Sequence, residues 1–162
     1  MIRPLANLYE QLRRLPGIGS KTAMRLAYHV IDMPAEDVKQ LAAALSGAKE
    51  QIHYCSRCFN LTDSDVCEIC RDSSRDSFTI CVVEQPQDIA AMELSHGYHG
   101  LYHVLHGVLS PLDGIDPEKL RIRELLLRLQ QESVSEIIIA TNSDVEGEAT
   151  ATYLAQLLKP VG

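Results

Sequence analysis

The sequence has no apolar run long enough to cross a bilayer and no secretory signal at its N-terminus. A membrane-spanning helix needs about 20 consecutive apolar residues, and a signal peptide needs a basic start followed by an apolar stretch. These absences predict a cytoplasmic protein without a membrane partner. The chain also lacks internal repeats and low-complexity segments, so its 162 residues indicate one ordinary domain or a few small modules.

Charge is distributed unevenly along the chain. The net charge is −7, yet residues 1–30 contain five basic residues and one acid, whereas the remainder contains ten basic and twenty-one acidic residues. Such asymmetry predicts a basic end that faces nucleic acid and an acidic part that faces another partner. A chance imbalance of surface charge is the alternative interpretation.

Periodicity predicts an α+β protein of several modules. Leucines three and four residues apart predict a helix over 4–14, and further helices are expected from Ser20, as N-cap, to about Val30 and after Pro34. Residues 54–77 show little periodicity. From Phe78 onward strand and helix patterns alternate, which predicts βαβ units and a parallel sheet. The expected strands and helices are 78–84, 86–94, 101–107, 117–131 (capped by Asp116), 135–141 and 146–159. The predicted domains are 1–53, 54–77 and 78–162.

Four cysteines dominate the middle segment, in the pattern C-x2-C, eight residues, C-x2-C. Two such pairs can place four thiolates around one Zn²⁺, and a full set of four leaves no open position for catalysis. So short a segment with almost no apolar core would take its folding energy from the metal. Two disulfides are the alternative, but they are rare in cytoplasmic proteins. The predicted structural zinc ligands are Cys55, Cys58, Cys67 and Cys70, whereas Cys81 lies in an apolar strand and is predicted to be a small buried residue.

The stretch LPGIGSKTAMRLA, residues 15–27, matches the helix-hairpin-helix motif. Gly17 and Gly19 have no side chains, so a phosphate can approach their backbone N–H groups closely, and the next helix offers its positive N-terminus. Lys21 and Arg25 lie four apart on one helical face, where they can reach neighbouring phosphates. Binding of double- or single-stranded DNA would be independent of sequence and sensitive to salt. An ordinary helical turn is the alternative.

Acidic and amide side chains follow two predicted strands of the same sheet. Glu84 ends TICVVE, and Asn142, Asp144 and Glu146 follow EIIIA. Ligand sites of open α/β sheets collect at the carboxyl ends of strands, and this arrangement is the Toprim pattern, in which Mg²⁺ is expected to assist phosphoryl transfer. Asn142 stands where the enzymes carry an aspartate, so Mg²⁺ binding is doubtful. The alternative is a capping box in which Ser143 pairs with Glu146.

The order of these modules closely resembles the RecR family of bacterial recombination mediators. The resemblance covers essentially the whole chain and rests on LPGIGSKTAMRLA, the four-cysteine segment, TICVVE, LSPLDGI and TNSDVEGEATA. It implies a non-enzymatic scaffold that acts in gap and break repair with RecO and RecF, to help load RecA onto single strands coated by SSB. A protein of this kind would lie on the nucleoid in the cytoplasm.

The resemblance also assigns roles to residues. Lys21 and Arg25 match the basic pair expected to touch DNA, with Arg13 and Arg14 in the same basic end, and Glu84, Asp144 and Glu146 fall on the acidic face expected to meet RecO, next to Asn142. The family forms homo-oligomeric rings or clamps, from dimers to tetramers. Its members continue past this sequence with another strand and a VPVGG segment, so we expect a fragment in which a dimer is favoured over a full clamp.

Two rival functions and one set of residues remain open on the sequence. A Mg²⁺-dependent nuclease or primase-like enzyme would use Glu84 and Asp144, and a zinc-bearing module could contact proteins alone. Four histidines recur within eleven residues, but glycines interrupt any shared helix, so surface or loop positions are predicted for all of them: His96, His99, His103 and His106.

Overall fold

The computed structural model describes residues 1–161. The chain divides into two compact units, bounded as Met1–Gln51 and Ile52–Gly162. The helices are α1 Arg3–Arg13, α2 Ser20–Asp32, α3 Ala35–Gln51, α4 Glu68–Arg71, α5 Pro86–Ser95, α6 Ile122–Gln131 and α7 Val145–Leu158. The strands are β1 His53–Tyr54, β2 Leu61–Thr62, β3 Asp76–Val83, β4 Gly100–Val104 and β5 Glu136–Ala140. Three short 3-10 turns occupy Pro111–Asp113, Pro117–Lys119 and Lys159–Val161. None of the helices within residues 1–161 has both the length and the apolar character needed to cross a membrane.

The first unit is all-helical, as the leucine spacing predicts. Leu5 of α1 is buried, and the facing α2 buries Ala23 and Ala27 completely, so the two helices approach each other over small side chains. The prediction that Ser20 caps α2 is wrong. Gly19 is the N-cap, in an extended conformation, and no side chain accepts a hydrogen bond from the first turn. Ser20 is the first helical residue because the chain enters the helix one position earlier than the pattern suggested.

The second unit begins with a small two-stranded antiparallel ladder. His53 pairs with Thr62 and Tyr54 with Leu61, and the single turn α4 follows. The segment's own apolar cluster consists of the four cysteines with the half-buried Val66 and Ile69 beside them. Such a segment cannot bury enough apolar surface to fold by itself, as the sequence indicated.

A three-stranded parallel sheet in the order β4-β3-β5 forms the centre of the second unit. Alternate side chains of the middle strand β3 point to opposite faces. Ile80 and Val82 face a core that includes Leu105, Leu125 and Leu154. The other face is covered by α5, where Cys81 and Val83 pack with Ile89 and Tyr102. The predicted α+β fold with a parallel sheet is confirmed, and so is the burial of Cys81, which is 0% exposed.

The predicted helix 117–131 is divided in the structure. Asp116 caps only a 3-10 turn, because its side chain accepts a hydrogen bond from the Glu118 N–H at 3.1 Å. Leu120 is then extended, and the Arg121 N–H donates to the Leu105 carbonyl at 3.0 Å. Helix α6 therefore begins only at Ile122. The break lets both Leu120 and Ile122 enter the core, which a continuous helix from Pro117 would not allow.

Candidate functional site

Four cysteine thiols meet at the start of the second unit. Their Sγ atoms lie within 4.8 Å of one another, and all four side chains are buried: Cys55, Cys58, Cys67 and Cys70. A tetrahedral zinc ion with Zn–S bonds of about 2.3 Å holds its sulfurs about 3.8 Å apart, and the Cys58 and Cys67 sulfurs are 3.6 Å apart. Within the described residues, no other group of His, Cys, Asp or Glu brings three ligand atoms together in this way.

Backbone donors surround these sulfurs in a way that suits thiolates. The N–H groups of Arg57 and Cys67 donate to Cys55 Sγ at 3.4 and 3.3 Å, and the Asn60 N–H donates to Cys58 Sγ at 3.5 Å. The pKa of the Cys67 thiol is lowered, chiefly by the close sulfurs of Cys58 and Cys70. The donor set therefore fits Zn²⁺, with all four positions filled by protein. The ion would supply cross-linking of the segment and no open coordination site.

Arg57, between the first two cysteines, connects the zinc element to α6. Its guanidinium donates from Nε and Nη2 to the two carboxylate oxygens of Glu132 at 2.8 and 3.0 Å, and from Nη1 to the Cys70 carbonyl at 3.0 Å. Glu132 also accepts from Arg128 Nε at 3.1 Å. Burial tends to raise the pKa of Glu132, but Arg57 and Arg128 outweigh it, so the pKa is lowered. Sequence reasoning missed this pair because its members are 75 positions apart.

The turn between α1 and α2 is open to solvent at both of its glycines. Gly17 has φ +78°, a left-handed conformation that favours glycine. No heavy atom lies within 4 Å of a Cβ built on Gly17 or Gly19, so both positions face open space. Lys21 and Arg25 are exposed, and within residues 1–161 neither side chain has a hydrogen bond or an ion pair. The N–H groups in the first turn of α2 are likewise without a side-chain cap.

Two further predicted DNA-binding residues already have neighbours on α1. Arg13 forms an exposed ion pair with Glu10 at 3.5 Å and lies over the Tyr9 ring at 5.5 Å. Arg14 donates to the Gln11 side chain at 3.0 Å. Exposed contacts of this kind contribute little and are easily exchanged, so both arginines remain available to an external phosphate.

The structure brings Glu84 and Asn142 together at the carboxyl edge of the sheet. The Asn142 backbone N–H donates to Glu84 Oε1 at 2.7 Å, and the Asn142 side-chain amide donates to Oε2 at 3.0 Å. Glu84 is buried, with 7% of its surface exposed. Burial raises its pKa, and the nearby carboxylates of Asp144, Asp88 and Glu146 add to this effect, whereas the Asn142 N–H opposes it. Each carboxylate oxygen of Glu84 thus accepts one hydrogen bond from Asn142.

Asp144 and Glu146 have separate structural tasks at the start of α7. Asp144 is the N-cap, and its carboxylate accepts from the Gly147 N–H at 2.7 Å. Glu146 accepts a hydrogen bond from the Ser110 hydroxyl at 2.7 Å, which joins the 110–115 loop to the helix. The alternative interpretation, a capping box of Ser143 and Glu146, is therefore wrong. The helix begins one residue later than that pattern requires, so the cap is Asp144.

Gly147 explains why a glycine stands within this acidic cluster. A Cβ at this position would lie 2.0 Å from the Asn142 carbonyl oxygen and 2.9 Å from the Asn142 carbonyl carbon. The backbone of α7 therefore contacts the chain that leaves β5 more closely than any side chain permits. Thr141 secures the contact, because its hydroxyl donates to the Gly147 carbonyl at 2.8 Å.

The histidines do not share one environment. His96 and His99 are exposed, as predicted, but the prediction of a surface position is wrong for His103, which is 0% exposed. His103 Nε2 lies 2.7 Å from the Arg121 carbonyl, and burial lowers its pKa to about 4. His106 is half-buried, with Nε2 2.7 Å from the Phe59 carbonyl and its ring 4.1 Å from that of Tyr54. Strand β4 is covered on both sides, which the sequence did not reveal.

A glycine turn open to phosphate, a closed four-cysteine zinc site and an acidic sheet edge define a zinc-containing Toprim protein with a helix-hairpin-helix unit. Comparison with family models agrees, segment by segment. The model of the RecR helix-hairpin-helix matches residues 5–49, that of the RecR four-cysteine zinc finger domain matches residues 52–72, and that of the Toprim domain matches residues 79–162. Structural zinc at the four cysteines is thereby confirmed.

The chain belongs to the RecR family. It is 57% identical over 160 residues to the recombination protein RecR of Lactobacillus johnsonii and 58% identical over 160 residues to that of Lacticaseibacillus casei. It is 55% identical over 159 residues to the recombination protein RecR of Myxococcus xanthus. Each match covers 98% of this chain and 80 or 81% of the relative.

Proposed function

We propose that this protein is a non-enzymatic scaffold of recombinational DNA repair that binds DNA through its first unit and a partner protein through its Toprim edge. In this proposal it acts with RecO and RecF to help load RecA onto single strands coated by SSB, and it is a homo-oligomer. It would therefore be found on the nucleoid in the cytoplasm. The domain assignment is 1–53 for DNA binding and oligomerisation, 54–77 for zinc and 78–162 for the Toprim domain.

The observation that carries the DNA-binding half is the uncapped N-terminus of α2 beside the open glycine turn. Backbone N–H groups there have no side-chain cap, and no other heavy atom crowds the Cβ positions of Gly17 and Gly19 just before them. A phosphate oxygen can accept these hydrogen bonds and also interacts with the helix dipole. Lys21 and Arg25 add two positive charges that no acidic side chain within residues 1–161 neutralises by an ion pair. All these contacts are to the phosphate backbone, so they carry no base specificity.

Salt dependence of DNA affinity tests this half. Each phosphate contact contributes about 0.9 to the slope of log K against log salt for duplex DNA and about 0.7 for single strands. We expect Lys21→Ala and Arg25→Ala each to reduce the slope by about these amounts. Lys49→Ala is the control, because it removes the same charge from the exposed face of α3. If Lys21→Ala and Lys49→Ala have equal slopes of log K against log salt, the proposal that the hairpin binds DNA is contradicted.

The contact between Glu84 and Asn142 favours a scaffold over a Mg²⁺-dependent enzyme. Mg²⁺ prefers charged oxygen ligands, and at this position the Asn142 side chain turns its NH₂ group toward Glu84. The amide of Asn142 also brings one negative charge fewer than an aspartate. Glu84 thus serves to hold Asn142 in place, and the exposed side chains of Asn142, Asp144 and Glu146 form the surface that a basic partner would meet.

A pull-down with RecO tests the partner half. We expect Asp144→Ala and Glu146→Ala to weaken capture, with Glu148→Ala as a control of equal charge on the same first turn of α7. Capture that is unchanged in both variants contradicts the assignment of this face. The enzyme alternative predicts instead a Mg²⁺-dependent cleavage of DNA that Glu84→Ala abolishes.

A further inference from the structure

The second cysteine of the zinc site and the residue after it contact the end of β4 and the segment that follows it. The Val104 N–H donates to the Cys58 carbonyl at 2.9 Å, and His106 Nε2 lies 2.7 Å from the Phe59 carbonyl oxygen. A carbonyl can only accept, so Nε2 of His106 carries the hydrogen. The Tyr54 ring lies 4.1 Å from the His106 ring and completes the contact. We call the Phe59–His106 pair the latch.

Both members of the latch have unusual backbones. Phe59 has φ 65° and His106 has φ 59°, and among residues 1–161 the only other non-glycine residue with positive φ is His96. Left-handed conformations of such residues persist only where the surroundings impose them. Two of three such residues therefore meet across one hydrogen bond.

The zinc element imposes the conformation of Phe59. The Phe59 N–H donates to the Cys55 carbonyl at 3.0 Å, and the Cys55 N–H donates to the Asn60 carbonyl at 2.7 Å. The next N–H, of Asn60, donates to Cys58 Sγ. These bonds form the turn that places two thiolates on one ion, so the direction of the Phe59 carbonyl depends on the cysteines being held together.

His106 connects in turn to the acidic edge. The residues on either side of it, Leu105 and Gly107, donate their N–H groups to the carbonyls of Val83 at 2.9 Å and Glu84 at 3.1 Å. Glu84 then accepts both hydrogen bonds from Asn142. A continuous chain of short contacts therefore leads from the zinc turn, through the latch, to the face assigned to the partner.

We propose that the latch couples zinc occupancy to the order of the acidic Toprim edge, with Phe59 and His106 as its positioning residues. With zinc bound, the Phe59 carbonyl holds His106, and the 105–107 segment fixes Glu84 and thereby Asn142. Loss of the metal releases His106 and loosens that edge without any contact between the metal and the partner. The coupling deepens the proposed function, because it makes partner binding at this face dependent on zinc.

Amide hydrogen exchange on the full zinc-loaded chain tests the coupling. We expect His106→Gly, with zinc retained, to raise exchange at the Gly107 and Asn142 amides roughly tenfold, the effect of losing one ordinary hydrogen bond. His96→Gly is the matched control, because it also replaces a left-handed histidine by glycine, at an exposed position outside the latch. His96→Gly should leave the exchange rates of the Gly107 and Asn142 amides unchanged.

Zinc removal is the second arm, with the Leu125 amide in the core as a marker of general unfolding. We expect metal removal from the unaltered protein to reproduce the His106→Gly effect at Asn142, and to add little in the His106→Gly variant. The Nε2–H form of His106, observed by ¹⁵N NMR, should be lost at the same time.

Three results would overturn the inference. The first is Asn142 exchange that is unaffected by His106→Gly, and the second is an equal effect of His96→Gly. The third is zinc removal that raises exchange at Leu125 and Asn142 by the same factor. RecO capture measured on the same samples separates the two proposals. If amide exchange shows the coupling but RecO capture is unchanged in Asp144→Ala and Glu146→Ala, the proposed function is contradicted. The coupling inference then still stands.

Discussion

Asn142→Asp should make the Toprim edge unstable at neutral pH unless a divalent cation is present. The substitution replaces the amide that donates to Glu84 Oε2 at 3.0 Å with a carboxylate in the same position. Two carboxylates so close cannot both remain charged, and one of them takes up a proton. Glu84 is the one we expect to do so, because burial already raises its pKa.

The size of the effect has an upper and a lower bound. Keeping a glutamate with an ordinary pKa of about 4.3 protonated at pH 7 costs about 3.7 kcal/mol, and the lost hydrogen bond alone is worth about 1 kcal/mol. We therefore expect a loss of about 1–4 kcal/mol in the free energy of unfolding, which corresponds to a Tm lower by roughly 4 °C for each kcal/mol. Asn142→Ala separates the lost hydrogen bond from the cost of protonating Glu84, because it removes the donor without adding a charge.

The pH dependence follows from the direction of the Glu84 shift. A carboxyl whose pKa is raised on folding supports the fold below its unfolded pKa, and that support is lost as pH rises through the folded pKa. The defect of Asn142→Asp should accordingly be small near pH 5 and large near pH 8, and millimolar Mg²⁺ should reduce it at pH 8 in the variant but not in the unaltered protein. Thermal unfolding of zinc-loaded protein measures this. A defect that is independent of pH, or equal to that of Asn142→Ala, would refute the reasoning.

Three further predictions concern stability. Gly147→Ala should lower the free energy of unfolding by more than about 2 kcal/mol, because the new Cβ would clash with a backbone oxygen. Gly47→Ala should instead raise it by about 0.5–1 kcal/mol, because its Cβ would have only a side-chain neighbour at 3.7 Å and alanine favours the helix α3. A double-mutant cycle of Arg57→Met and Glu132→Gln in urea should give a coupling of about 1–2 kcal/mol. Because the pKa of Glu132 is lowered in the folded protein, this coupling energy should be fully present above about pH 4.3, the ordinary pKa of a glutamate. It should disappear as the pH falls through the lower pKa of the folded state. A coupling energy that persists below that pKa contradicts the ion pair. Zinc removal should lower the Tm of residues 52–162 and leave the CD melting of a 1–51 fragment unchanged, and equal shifts in both would argue against a local metal role.

The sequence predicts best where one physical requirement dominates a short stretch. The paired cysteines leave few alternatives to zinc, and the alternation of apolar strands with helical patterns after Phe78 predicts a parallel sheet. The glycines at 17 and 19 likewise indicate a turn open to phosphate. Each of these signals is local in the sequence, so it can be recognised without knowledge of the fold.

What the sequence does not predict depends on contacts between distant parts. The pairing of Arg57 with Glu132, the complete burial of His103 and the break at Leu120 all result from packing against segments far along the chain. The choice of Asp144 over Ser143 as N-cap depends on where the chain leaves β5 and on the close approach at Gly147. A shift of one residue at a helix start is beyond what periodicity can resolve.

The position of the zinc ligands in the chain has a consequence for synthesis on the ribosome. All four cysteines lie between positions 55 and 70, whereas β3, the middle strand of the sheet, must wait for β5 at 136–140 before both of its edges are paired. Contacts between residues close in sequence form sooner than distant ones. The metal site is therefore complete while the Toprim sheet is still being made, and the growing chain acquires a fixed turn against which β4 can later dock.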